Sequence, residues 1–225
     1  MSQHHIQKIV CPKCAAQGEM TIWDSINVQL NPELKDKVMD ESLFTWTCPS
    51  CGHQVYITFG TLYHDLAGQF MLLFDHKAED NDLSEDAFPD NEAFAQFNKN
   101  YRLRYVHGIH ALKEKIFIFD EGLSDVVVEL LKYFVRNQVI RINESDPNFL
   151  IGKAIYFTNM SDDGEQLIFA LVSPRKGVVA HFGLSIDLYE QCLQKSILDE
   201  RFKQEKNCIM NVCYEWIDAK LKSSK

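Results

Sequence analysis

Two cysteine pairs of identical spacing, Cys11-Pro12-Lys13-Cys14 and Cys48-Pro49-Ser50-Cys51, constrain this chain more than any other feature of its 225 residues. A two-residue gap lets both sulfurs of a tight turn point at one ion, and the proline presets the turn. Gly52, directly after the second pair, can take the left-handed conformation such a turn needs. The spacing predicts one tetrahedral Zn2+ held by Cys11, Cys14, Cys48 and Cys51. Four thiolates would saturate the ion, whereas a catalytic zinc keeps a position for water, so the expected metal is structural.

Both pairs lie between strand-like runs, the setting of a zinc ribbon. The 33 residues that separate them, 15–47, are more than a ribbon usually carries. Closing about 33 residues instead of about 15 costs only roughly 0.7 kcal/mol, against on the order of 10 to 16 kcal/mol from structural zinc. Two other chemistries use the same residues. A redox dithiol wants its first thiol at a helix N-terminus, and here the following residues read as strand. Replacement of a ligand by His4, His5 or His53 is the second.

Seven cysteines is an odd number, and no charged leader followed by a long apolar run opens the sequence. A reducing cytoplasmic setting, with metal rather than disulfides, is the expectation. The net charge of -9, from 32 acidic and 23 basic residues, disfavours nucleic acid and anionic membranes as partners. Even residues 1–60 carry four basic and six acidic side chains.

Along the chain, apolar Met20, Ile22, Ile26, Val28 and Leu30 alternate with mostly polar residues, a strand pattern over 19–30. Asn31-Pro32-Glu33 opens one or two helical turns. Strands are expected at 43–47, 55–59 and 70–74, the last after a turn at 66–69, which together make a small antiparallel sheet. Residues 79–92 hold seven acidic side chains and read as an exposed loop. After Gly122, the residues Leu123, Val126, Val127, Leu130, Leu131 and Phe134 form one helical stripe, with Ser124 as N-cap. Burying such side chains is worth about 1.5 to 3 kcal/mol each before entropy, so that helix must pack on a large surface. Two further strands, 154–159 and 166–172, flank the hairpin turn Ser161-Asp162-Asp163-Gly164, and 178–182 adds a third. A helix capped by Ser185 should run to about Lys203, and another from Cys208 to Leu221. The fold class expected is α+β: a zinc-ribbon-like antiparallel sheet with a packed helix over 1–137, then an α+β region of unknown role over 138–225.

The cysteine pairs, with Trp23-Asp24-Ser25-Ile26-Asn27, Pro32-Glu33-Leu34-Lys35, Gly52-His53, Tyr63-His64-Asp65 and Lys115-Ile116-Phe117-Ile118-Phe119-Asp120, stand in one order. In that order the chain resembles the CpXC family, bacterial and archaeal proteins with two Cys-Pro-x-Cys pairs, over residues 9–134. The resemblance implies zinc and a prokaryotic cytosol, and no activity. The chain departs from the family at the first knuckle, where Ala15 stands in a place that often holds glycine.

Tyr63-His64-Asp65 joins a phenol, an imidazole and an acid. On a strand Tyr63 and Asp65 would share one face and His64 the other, giving either a small ligand or catalytic site or, more simply, packing and turn hydrogen bonds. His107 and His110, three apart, would share a face on a helix, exposed or as half of a metal site. Arg102 and Arg104 alternate with Tyr101, Leu103 and Tyr105, the pattern of a solvated sheet face or a nucleic-acid surface. Cys192, Cys208 and Cys213 lack ligand spacing and read as core. No catalytic set is assigned. The expected role is a binding or interaction module for a protein or a small ligand. A nucleic-acid-binding regulator is the second reading, and an enzyme built on Tyr63, His64 and Asp65 the third.

Overall fold

The computed structural model describes residues 2–75, 101–142, 149–203 and 209–223. The acidic stretch 79–92 and Cys208 lie outside them. The chain divides into two compact units, Met1–Lys113 with Lys206–Ile209, and Glu114–Glu205 with Met210–Lys225.

The first unit is built on a five-stranded sheet in the order β1-β2-β5-β6-β7. Its strands are β1 (Gln3–Val10), β2 (Gln17–Asn27), β5 (Thr61–Asp65), β6 (Phe70–Asp75) and β7 (Arg102–His107). β3 (Thr45–Thr47) and β4 (Gln54–Tyr56) form a separate two-stranded hairpin. The α+β class holds, but the large sheet is mixed and not antiparallel. β1·β2 and β5·β6 are antiparallel, while β2·β5 and β6·β7 are parallel. Parallel neighbours need a crossover, and residues 28–60, with α1 (Glu33–Met39) and the small hairpin, supply the one between β2 and β5.

Alternation survives in the burial: Thr61, Tyr63 and Asp65 of β5 and Phe70, Leu72 and Phe74 of β6 are buried, with half-buried residues between them. Leu34 and Val38, four apart on α1, are buried too. Three expected strands are shorter, the one expected over 19–30 ending at Asn27 with Leu30 beyond it 60 % exposed. Residues Ser42–Phe44 form a 3-10 turn, entered through Glu41 at φ 65°, which turns Phe44 into contact with Phe59 and Phe74 at ring distances of 5.0 and 5.7 Å. Beyond Tyr56, the N–H of Ile57 still donates to the carbonyl of Phe44, and Phe59 after it is buried outside any strand.

Helix α2 (Ile109–Asp120) gives its first residues to the first unit and the rest to the second. Gly122, at φ +69°, breaks the chain before α3 (Asp125–Ile142). Leu123, Val126, Val127, Leu130 and Leu131 are buried as the stripe predicts, but Phe134 is 51 % exposed, and past Leu131 the described side chains of α3 are half-buried or exposed. The second unit adds an antiparallel sheet in the order β10-β9-β8, made of β8 (Ala154–Met160), β9 (Gln166–Ser173) and β10 (Gly177–Ser185). The β8–β9 turn closes with Ser161 N–H on the carbonyl of Gln166 and Gly164 at φ +72°.

Ser185 does cap α4 (Ile186–Leu198), its hydroxyl accepting from Asp187 N–H at 3.1 Å. That helix stops at Leu198, not Lys203, because the Asp199 carboxylate caps a new 3-10 turn over Glu200–Phe202. The last helix, α5 (Tyr214–Lys222), starts later than Cys208. Met210 and Val212 are buried two apart, and with Val126, Leu130 and Ile217 they form a core cluster, so extended chain serves them better than helix. No helix of the described residues is long and apolar enough to cross a membrane.

Candidate metal centre

Both cysteine pairs sit at the tips of β-hairpins built to one plan. Val10 pairs with Gln17 across the first tip and Thr47 with Gln54 across the second, leaving six residues in each loop with cysteine first and fourth. The N–H of Cys11 donates to the carbonyl of Ala16, and that of Ala15 donates back to Cys11, each at 2.9 Å. The second loop repeats both bonds: Cys48 N–H to His53 at 2.9 Å and Gly52 N–H to Cys48 at 3.0 Å. The fifth residue of each loop is left-handed, Gly52 at φ +67° and Ala15 at φ 58°. The first knuckle is therefore as regular as the second, and alanine carries the strain that glycine avoids.

The four sulfurs converge. Cys11 and Cys51 are 3.7 Å apart and Cys14 and Cys48 3.6 Å apart, and all four lie within 4.8 Å of one another. A tetrahedron with metal–sulfur bonds of about 2.3 Å has an edge of roughly 3.8 Å, which those two separations match and the 4.8 Å limit on the others exceeds by about 1 Å. Cys11 and Cys48 are buried while Cys14 and Cys51 face solvent. Among the described residues this is the one group of three or more His, Cys, Asp or Glu side chains gathered closely enough to hold a metal.

What fixes the second hairpin against the sheet is Trp46, a contact that the spacing of the cysteines does not reveal. Its indole N–H donates to the carbonyl of Glu19 at 3.1 Å, and its ring lies over Gly18. A Cβ on Gly18 would stand 2.6 Å from Cζ2 of that ring. Glycine two residues into β2 was the available signal.

Proton sharing among the thiols is uneven. Burial pushes the Cys48 thiol up, but the N–H groups of Cys51 and Ser50 and the thiols of Cys11 and Cys14 outweigh it and bring it down to about 7. The N–H of Ala16 lowers Cys14, yet bonding to Cys51, burial, and bonding to Cys48 and Cys11 push it up to about 12. A cluster that already stabilises a thiolate at Cys48 is electrostatically prepared for a cation.

The remaining candidates do not join this centre. Tyr63 is fully buried, and Asp65 accepts from Gln29 Nε2 at 2.9 Å and from Gly68 N–H at 2.8 Å, which fastens the β5–β6 turn. His64 points to the other face, its Nε2 3.3 Å from the Tyr101 hydroxyl, and burial lowers its pKa. His107 ends β7 and His110 lies in α2, with Gly108 at φ +82° between them, so they share no helix face. The arginines do not make a solvated face: Arg104 is buried, and Arg102 donates to the carbonyl of Gly68 at 3.0 Å. His5 pairs with Asp24 at 3.0 Å on the sheet surface. Cys192 and Cys213 are half-buried, and desolvation raises both thiols.

A buried ionic cluster in the second unit escaped the sequence reading. Lys115 meets Asp125 at 3.0 Å, and Lys132 meets Glu114 at 2.9 Å and Glu129 at 2.8 Å. Glu114 also accepts from the N–H of Phe157 at 2.6 Å. Asp125, Glu129 and Lys132 follow one another at i, i+4 and i+7, and charges at core spacing were the signal that could have found them. Every carboxylate here has a cation, which is the mark of structural pairing.

Comparison with known proteins agrees with the residues. The family model for CpXC protein matches residues 9–132, bearing out over that span the resemblance read over 9–134. No curated protein and no solved structure matches.

Proposed function

Because the chain belongs to the CpXC family, we propose that it is a binding module built around one structural Zn2+ in a ribbon-like centre. Cys11, Cys14, Cys48 and Cys51 supply the four thiolates, leaving the ion no open position for substrate. The metal's work is architectural: it ties the β1–β2 and β3–β4 tips together and holds a rigid platform. What that platform or residues 138–225 recognise is a protein or a small ligand, in a reducing prokaryotic cytoplasm and not on nucleic acid or a membrane. The observation that carries the reading is the convergence of four sulfurs, two pairs of them 3.6 and 3.7 Å apart, from hairpin tips 34 and more residues apart in sequence.

X-ray absorption at the zinc edge, with metal analysis of anaerobically purified protein, tests it. One equivalent of zinc with four sulfur neighbours at about 2.3 Å is expected. An oxygen neighbour would instead mean a position open to water, and a nitrogen neighbour a histidine in place of one thiolate. Less than one equivalent would remove the ion from the account.

A further inference from the structure

β10 is an outer strand nine residues long, and among the described residues it hydrogen-bonds one neighbour, β9. Seven of its nine residues are exposed, Val178 and Val179 at 53 % and 45 %. Outer strands are normally protected from pairing by lysine, proline, shortness or a bulge. Gly177-Val178-Val179-Ala180-His181-Phe182-Gly183-Leu184-Ser185 contains no lysine, acid or proline, and its protection is a single bulge between Val178 and Ala180. β1, one outer strand of the five-stranded sheet, carries Lys8 and the polar residues Gln3, His4, His5 and Gln7 around Ile6, and is less open to a partner.

We propose that the outer edge of β10 pairs antiparallel with β10 of a second copy of this chain, about a two-fold axis at His181. The sequence is self-complementary in that register. On either side of His181, Ala180 falls opposite the partner's Phe182, so a small residue meets a large one, and the bulge at Val179 bounds that central pairing. The ends match in charge as well. Arg175 and Lys176, exposed in the turn before β10, come beside the partner's Asp187 and Glu190, exposed at the start of α4. A parallel arrangement would set those basic residues against each other. The interface is isologous, as a two-fold requires, and each ion pair occurs twice. It joins two three-stranded sheets into one of six strands. An edge of nine residues is small beside the roughly 1,200 to 2,000 Å² of stable complexes, so association belongs in the micromolar range or weaker.

The pairing is independent of the metal reading, and the test uses the full-length, zinc-supplemented protein under reducing conditions. Sedimentation velocity from about 1 to about 300 µM should show a shift from monomer to dimer, consistent with that interface size. Amides of 177–185 should exchange more slowly at the concentrated end. Arg175→Glu and Asp187→Lys should each weaken the dimer by about tenfold, and the two together should restore most of it, since the swapped charges face each other again. Val179→Lys, on an already exposed side chain, should leave the melting temperature unchanged and abolish the dimer. A monomer across the whole range, or a dimer whose 177–185 amides are not slowed, overturns the proposal. So does a double charge swap that is no better than either single one.

Discussion

Ala15 and Gly52 occupy the same place in two superposable knuckles, yet only one of them is a residue suited to a positive φ. An L-residue in the left-handed region costs about 1 to 2 kcal/mol, part of which glycine's larger unfolded-state entropy takes back. Ala15→Gly should therefore stabilise the zinc-loaded protein by about 0.5 to 1 kcal/mol in denaturant melts. Gly52→Ala should destabilise by about the same amount, and so should Ala16→Gly, next in the chain but not left-handed. Opposite signs at neighbouring alanines separate backbone strain from a general softening of the loop. Gly18 is constrained by space instead. Its missing Cβ is where the Trp46 ring lies, so Gly18→Ala must push the indole off β2. A loss of about 1 to 3 kcal/mol is expected, with a red shift in tryptophan emission as the ring moves toward water.

At the scale of elements, period and punctuation were legible wherever one face of a segment meets core and the other meets water. The α3 stripe from Leu123 to Leu131, the alternation from Met20 to Ile26 in β2, the turn at Ser161–Gly164 and the Ser185 cap all follow from local rules. Legibility failed where tertiary demands overrule the local pattern. Phe44 is turned inward by a 3-10 turn, Met210 and Val212 are kept extended by their core, and parallel neighbours arise from a crossover that no short window contains. The cysteine cluster was easier than the fold, since residue type and spacing are written in the chain, while the Trp46 clamp across 27 residues is not.

The ionic cluster belongs to this scale because α2, α3 and β8 each contribute to it. Lys132→Met leaves Glu114 and Glu129 buried without their shared cation and should cost about 3 to 5 kcal/mol. The pH dependence follows from Glu114, whose pKa burial pushes up, against the pull of Lys132. An acid raised in the folded state binds its proton more tightly there, so its contribution is full below the ordinary glutamate value and is lost as pH rises through the folded one. Glu114→Gln, which cannot ionise, should gain stability relative to the parent as pH climbs from about 4.5. Lys132 is also raised, against the desolvation that would lower it, by Glu114 and Glu129. Its contribution is constant at neutral pH and disappears only above the ordinary lysine value, so the two groups separate in a urea series run across pH.

For the molecule as a whole, the division into two units sets what metal removal should do. All four clustered cysteines lie in the first unit, and the β3–β4 hairpin that carries two of them pairs over three residues a side, too little to persist in water alone. The second unit holds its own core in Val126, Leu130, Met210, Val212 and Ile217 and its own buried ion pairs. Chelation should accordingly strip hydrogen-exchange protection from residues 45–56 first and from the β1–β2 tip with them, while 154–173 and 214–222 keep theirs. Acid should act in the same direction, because zinc competes with protons for the thiolates. With Cys48 at about 7, affinity should fall as pH drops through neutrality. Uniform loss of protection through both units on chelation would show instead that the metal holds up the entire chain, and unchanged exchange at 45–56 would show that it holds up nothing.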